Sequence, residues 1–278
     1  MIVQHNMSAL NTNRQLGITN TNLSRSTEKL SSGYRVNRAA DDAAGLSISE
    51  KMRGQIRGLE QASTNAQDGQ SLIQTAEGAM SEIHSVLQRM RELTVQAAND
   101  TNVSTDRKAI AKEVTALTSE ITRIASQTEF NTMKLLSGKF ADKHLQVGAN
   151  NGQQIRISIK NLTADSLGVG TAEIADVINE SSSKYADLTV LISKVNIAII
   201  SVSTQRSKLG AIQNRLDHTI ANADNMAENL QSSESKIRDV NMADEMVGYS
   251  GLSILQQAGQ SMLAQANNST QGVLSLLR

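Results

Sequence analysis

The sequence predicts a mainly α protein: an elongated antiparallel helical bundle or coiled coil with a small β-hairpin element, both termini pairing as a helical coiled-coil arm. Three observations carry this. Proline is absent from all 278 residues, which removes the commonest helix breaker. Aromatic residues make up 2% of the chain and Trp is absent, so the apolar content is Ala, Leu, Ile, Val and Met, side chains that pack well between helices. Apolar residues also recur at steps of three and four over most of the length, the period of a helix with one buried face.

At the amino end Ala9, Leu16, Leu23 and Leu30 stand seven apart, one stripe on a helix. At the carboxyl end Leu252, Leu255, Met262, Ala266, Val273 and Leu276 form another. Neither arm buries its stripe alone, so each needs the other, a neighbouring chain, or both. Between the arms, Met52, Ile56, Leu59, Ala62, Ala66, Gly69, Ile73, Ala76, Met80, Ile83, Leu87 and Met90 define a seam from about residue 46 to 98. One helix of that length runs about 80 Å at 1.5 Å per residue.

Asn99-Asp100-Thr101-Asn102 breaks the pattern with turn-forming residues, and Ser104, Thr105 and Asp106 offer N-cap chemistry for a second helix. That helix carries Ile110, Val114, Leu117, Ile121 and Ile124. The stretch from about 130 to 170 differs. It is glycine-rich, Ile155 to Ile159 alternates as a half-buried strand does, and Asn151-Gly152 is a hairpin turn signal. Helix resumes near Ala186 and runs to about Asp239 through Leu188, Val195, Val202, Leu209 and Leu216. Its antiparallel return onto the two earlier helices makes the bundle. Val195 to Val202 is more apolar than an exposed helix requires.

Charge and motifs exclude several functions. Lys plus Arg and Asp plus Glu number 27 each, without a basic stripe, so nucleic acid is not an expected partner. Cysteine is absent, which rules out disulfides and thiolate metal sites. The amino end lacks the charged and apolar regions of a cleaved secretory signal, and the run Val195 to Val202 is too short for membrane insertion. Location is thus cytoplasmic, or extracellular by export without a cleaved signal. His5, His84, His144 and His218 are scattered, with no metal-ligand spacing, so no metal and no cofactor is expected. Gly138-Lys139 lacks the rest of a phosphate loop, and Gly168-Val169-Gly170 reads as a turn. Adjacent carboxylates at Asp41-Asp42 and Asp244-Glu245 point apart by about 100° on a helix and suit helix N-terminal charge better than a catalytic dyad. No catalytic residues are identified, and an enzyme is not expected.

Leu30-Ser31-Ser32-Gly33-Tyr34-Arg35-Val36-Asn37, followed by Ala40-Asp41-Asp42-Ala43-Ala44-Gly45-Leu46, resembles the N-terminal signature of bacterial flagellins. Leu87 to Asn99 resembles the family's first core-domain helix, and Gln127-Thr128-Glu129-Phe130-Asn131 the segment closing the second. Gly210 to Leu216, Gln257 to Asn267 and Val273 to Arg278 are similar to the C-terminal half. These motifs stand in family order and cover nearly all of the chain outside about 140–185. Where many flagellins have a proline near the end of the C-terminal arm, this chain has Ser269-Thr270.

The resemblance implies a structural subunit that polymerises into the flagellar filament for swimming motility, exported unfolded by the flagellar type III route. It implies residues 1–42 and 241–278 as the two arms of the inner-tube domain (D0). Residues 43–139 would be the N-terminal half of D1, 186–240 its C-terminal helix, and 140–185 a short β-containing variable region in place of outer domains. Implied partners are further copies of the chain, an export chaperone, the filament cap, hook-associated junction proteins and the host Toll-like receptor 5. Assembly is expected to rest on Leu16, Leu23, Leu30, Leu252, Leu255, Met262, Val273 and Leu276. Receptor recognition is expected at Arg89, Leu93 and Glu113, with Arg89 as a forked donor and Leu93 as an apolar knob one turn on. A hook–filament junction protein is the alternative, a soluble helical binding module or secreted effector a more distant one.

Overall fold

The computed structural model describes residues 5–179 and 185–276, apart from the side chains at 171–173, 179, 185–186, 270–271 and 273–276. In chain order its elements are α1 (Met7–Ser32), α2 (Ala43–Ala97), α3 (Ser104–Gln127), β1 (Glu129–Phe130), β2 (Met133–Lys134), β3 (Lys143–Gln146), β4 (Gln154–Ile157), α4 (Thr171–Asn179), α5 (Tyr185–Arg238) and α6 (Met242–Leu276). The protein is mainly helical, as expected. It divides into two compact units: residues 1–56 with 228–278, and residues 57–227.

The second unit is built on the seam of α2. Leu59, Ala62, Ala66, Ile73, Ala76, Met80, Ile83, Leu87 and Met90 are all buried, so from Leu59 onward the three-four spacing describes the real inner face; Met52 and Ile56 of the expected seam are only half-buried. α5 runs antiparallel to α2: Gln70 Nε2 donates to Asp217 Oδ1 at 2.9 Å, and Arg206 pairs with Glu77 at 3.5 Å. Its buried face is Leu188, Leu191, Val195, Ala198 and Val202. Val195 to Val202 is therefore apolar on two faces, since Ile197 and Ile200 between those positions stay exposed. An 18-residue window of α5, with mean hydropathy 1.4, is long and apolar enough by length and composition to cross a membrane. The core helix of a folded unit passes the same test, and here 33% of the window is buried.

α3 adds Ile110, Val114, Ile121 and Ala125 to this core. Its N-cap is Val103, one residue before the expected Ser104. Valine has no acceptor, so only half of a capping box forms, with Asp106 Oδ2 accepting from the Val103 N–H at 3.3 Å. Two elements escape the sequence reading. β1 and β2 pair antiparallel across Asn131 and Thr132, both at positive φ (47° and 64°), with Lys134 Nζ 2.6 Å from Glu129 Oε2 across the ladder. α4 packs on α3 and buries Ile174, Ala175 and Ile178.

The expected hairpin is β3–β4, in the register Lys143↔Ile157 to Gln146↔Gln154. Ile155 and Ile157 are buried between exposed neighbours, and Asn65 Nδ2 of α2 donates to the Gln146 carbonyl at 3.2 Å. In the first unit α1 and α6 pair with each other.

Candidate assembly interface

The α1–α6 pair runs antiparallel, and four contacts fix its alignment. Ser26 Oγ donates to Glu245 Oε1 at 2.6 Å, Gln256 Nε2 to Asn20 Oδ1 at 2.9 Å, and Asn6 Nδ2 to the Ala266 carbonyl at 2.9 Å. Between them Leu16 lies over Gly259. On α1 the inward positions are Ala9, Thr12, Leu16, Thr19, Leu23, Ser26 and Leu30, a strict three-four alternation. Thr12 and Thr19 donate their hydroxyls to the carbonyls of Ser8 and Gln15 at 2.8 and 3.0 Å. That local bonding satisfies the polar group within the helix itself.

On α6 the inward positions are Glu245, Tyr249, Leu252, Gln256, Gly259, Leu263 and Ala266. The expected C-terminal stripe therefore divides. Leu252 and Ala266 are half-buried, whereas Leu255 and Met262 are 59% and 61% exposed. Gln256 and Gly259 occupy places that a reading by apolar residues alone gives to leucine or methionine. The side chains of Val273 and Leu276 lie outside the described residues. Leu16, Leu23 and Leu30 are half-buried, so pairing covers them only in part. Leu10, Ile18, Val247 and Ile254 are exposed as well, which leaves each arm an apolar surface beyond the one it shares with the other.

The arms are held at their base by a clamp. Gly33 ends α1 in the left-handed conformation (φ 75°) that glycine adopts without strain, its N–H returning to the Lys29 carbonyl at 2.8 Å. The chain then pairs with the α5–α6 connection: the Arg35 N–H donates to the Arg238 carbonyl at 2.7 Å and the Val240 N–H to the Gly33 carbonyl at 3.0 Å. Arg238 lies over the Tyr34 ring, 4.7 Å from its centroid, and donates to Glu50 Oε1 at 2.8 Å. Ser49, itself buried, donates to Glu234 Oε1 at 2.8 Å. The two adjacent carboxylates have separate tasks. Asp42 Oδ1 accepts from the Gly45 N–H at 2.8 Å and caps α2. Asp41 Oδ2 instead accepts from the backbone of Arg38 and Asn37 at 3.0 and 3.3 Å. Those donors, the Arg38 N–H foremost, hold its carboxyl below the usual range.

The second candidate surface lies on the second unit. Arg89 of α2 donates through Nε to Glu113 Oε1 of α3 at 3.0 Å and through Nη1 to Glu92 Oε2 at 3.1 Å. Hydrogen bonds to Glu113, then Glu92, raise its pKa further. Arg89 and Glu113 are about half-exposed. Leu93 is not: it is 1% exposed and belongs to the hydrophobic core. As a projecting knob the Leu93 expectation fails, because its position on α2 faces inward beside Met90 and Ala97. The exposed apolar residue on that stretch is Val95, in a shallow groove with Gln88, Arg91, Glu92 and Gln96. Among the described residues no group of three His, Cys, Asp or Glu is placed to hold a metal ion.

Residues 3–141 match the family model of the bacterial flagellin N-terminal helical region, and residues 192–277 that of the C-terminal helical region. A flagellin of Halalkalibacterium halodurans is 52% identical over 280 aligned residues, and one of Bacillus subtilis 50% identical over 304. Each alignment covers 100% of both chains. Among solved structures, flagellar hook-associated protein-3 from Legionella pneumophila has a TM-score of 0.59 at 13% identity, covering 68% of this chain and 98% of that one. That likeness shows the fold alone.

Proposed function

This chain belongs to the bacterial flagellin family, a family of structural proteins and not enzymes, and on that premise we propose that it polymerises through the outward faces of α1 and α6 into the flagellar filament that drives swimming. The observation that carries the reading is the apolar surface left over when the arms have paired: Leu10 and Ile18 on α1, Ile254, Leu255 and Met262 on α6. A solitary paired arm keeps these in water. Further copies of the chain bury them, so assembly and ordering of the arms are coupled. The arms 1–42 and 241–278 form the inner tube (D0), residues 43–139 and 186–240 form D1, and 140–185 stands in place of outer domains.

The chain leaves the cell unfolded by the flagellar type III route, escorted by an export chaperone, and adds beneath the filament cap beyond the hook-associated junction proteins. A junction protein shares the fold, but the near 50% identity over the full length of two flagellins favours the filament subunit.

Negative-stain microscopy of the purified chain after seeding tests the reading. The full chain is expected to give long filaments, and a chain ending at Gly272 to give none while its second unit stays folded. Sedimentable filaments from the truncated chain would overturn it.

The exposed Arg89–Glu113 pair supports recognition by Toll-like receptor 5 on D1. Leu93 contributes there by packing α2 from within. Arg89→Ala is expected to abolish receptor binding with the helical content intact; unchanged binding removes Arg89 from the contact.

A further inference from the structure

The best-buried side chain of α1 is polar. Ser26 is 4% exposed, and α1 has no other fully buried residue. Its hydroxyl donates at 2.6 Å to the Glu245 carboxylate across the seam. This placement is unusual for a pair of amphipathic helices, whose deepest positions ordinarily hold aliphatic residues.

The apolar stripe by itself does not define how the arms align. Ala9, Leu16, Leu23 and Leu30 are seven apart, so sliding α6 by one heptad puts Leu16, Leu23 and Leu30 where Ala9, Leu16 and Leu23 stood. Gly259 then faces Leu23 instead of Leu16, and the knob still finds its hole. The polar contacts are not repeated in this way. The same slide sets Ser26 against Leu252 and carries Glu245 to Gly33, beyond the end of α1. Ser26 then exchanges a charge-assisted bond to a carboxylate for at best the carbonyl one turn back in its own helix. The half-buried Glu245 loses its donor, and hydrogen bonds to charged groups contribute more than those between neutral ones.

From this we infer that the Ser26–Glu245 hydrogen bond is a register lock. It selects one alignment of the two arms out of a set the apolar contacts leave nearly equivalent. By fixing the alignment it also fixes the phase at which Ile254, Leu255 and Met262 are presented beside Leu10 and Ile18. The inference rests on the proposed polymerisation, because that surface acts only if copies of the chain meet on it. A single buried polar residue setting the register of a helical pair is a well-attested use of such groups.

Because the chain has no cysteine, register can be read with introduced thiols in assembled filaments. Asn20→Cys with Gln256→Cys reports the observed alignment. Asn20→Cys with Leu263→Cys reports a slide of one heptad. A bridging reagent spanning about 7 Å separates them, since one heptad is about 10.5 Å of helix. The first pair is expected to cross-link at least about tenfold more than the second, equivalent to about 1.4 kcal/mol. Adding Ser26→Ala is expected to bring the slid pair to within about twofold of the first, while Glu245→Gln, which keeps an acceptor, preserves the original preference. If Ser26→Ala chains do not polymerise alone, they are doped into an excess of unsubstituted chain and read the same way. A slid pair that stays silent with Ser26→Ala would overturn the lock. Failure of the unsubstituted chain to polymerise would instead defeat the proposed function.

Discussion

Leu16 of α1 rests on Gly259 of α6 so closely that a Cβ added to the glycine would come within 3.2 Å of Leu16 Cδ1. The glycine is a hole and the leucine its knob. Enlarging the hole residue to leucine overpacks the seam, a class of change that costs about 1–3 kcal/mol. Gly259→Leu is therefore expected to raise the critical concentration for filament growth about ten- to hundredfold. Sedimentation of filaments over a protein titration measures this. An unchanged critical concentration would mean that the arms do not pack at this position in the filament.

Leu93 provides a second test, because burial and surface recognition predict different things. With 1% exposure and a place in the core, Leu93→Ala is expected to destabilise the second unit by about 2–5 kcal/mol. Leu93→Met, which conserves volume, should cost less than about 1.5 kcal/mol. Chemical denaturation followed by circular dichroism measures both. A Leu93→Ala chain as stable as the parent would return the residue to the surface.

Leu93 and Gly259 also show what a linear reading reaches. The inward face of α2 was legible because one face is buried from Leu59 to the end of the helix, so Met80, Ile83, Leu87 and Met90 repeat the core without interruption. The same rule places Leu93 inside. Only the resemblance to the family put it on the surface. On α6 the rule breaks down. Its seam uses Gln256 and Gly259, and its apolar Leu255 and Met262 face away from α1. An arm with two apolar surfaces has no single stripe to read. The β1–β2 hairpin turns on Asn131-Thr132, without the glycine that announces such a turn, and nine-residue α4 is too short for its period to stand out. The clamp was visible as a signature, Leu30 to Asn37 and Ala40 to Leu46, but its partner segment, Arg238 to Val240, carries no local mark.

Asp41 predicts a pH response. Its carboxyl is held below its ordinary value of 3.8 by the Arg38 and Asn37 N–H groups. A depressed folded-state pKa means that the ionised form is preferred in the folded loop. Its stabilising contribution is then complete above the ordinary carboxylate value and is lost as the pH falls through the lowered one. Amide exchange at Arg38 and Asn37 is expected to accelerate, relative to the rest of the chain, as the pH is taken below about 4. Asp41→Ala should show the fast exchange at every pH. Equal protection in parent and variant would remove Asp41 from the loop's support.

Gly58 and Gly69 of α2 both lie under the β3–β4 hairpin, and the fold predicts opposite results for the same substitution. Alanine in place of glycine inside a helix gains about 1 kcal/mol from propensity. At Gly69 the new Cβ meets the end of the Leu145 side chain, which rotates away, so Gly69→Ala should be neutral or stabilising. At Gly58 it comes within 2.8 Å of Ala149 Cβ and 3.2 Å of its Cα. Ala149 has no rotatable side chain to yield, so the loop joining β3 and β4 must lift from the helix. Gly58→Ala is thus expected to lose stability despite the better propensity. It should also expose the hairpin to proteolysis between Gly148 and Gln153, whereas Gly69→Ala stays resistant. Comparing the two variants under limited digestion and in denaturant decides the point. Equal resistance would show that the hairpin is not held by close backbone approach at Gly58.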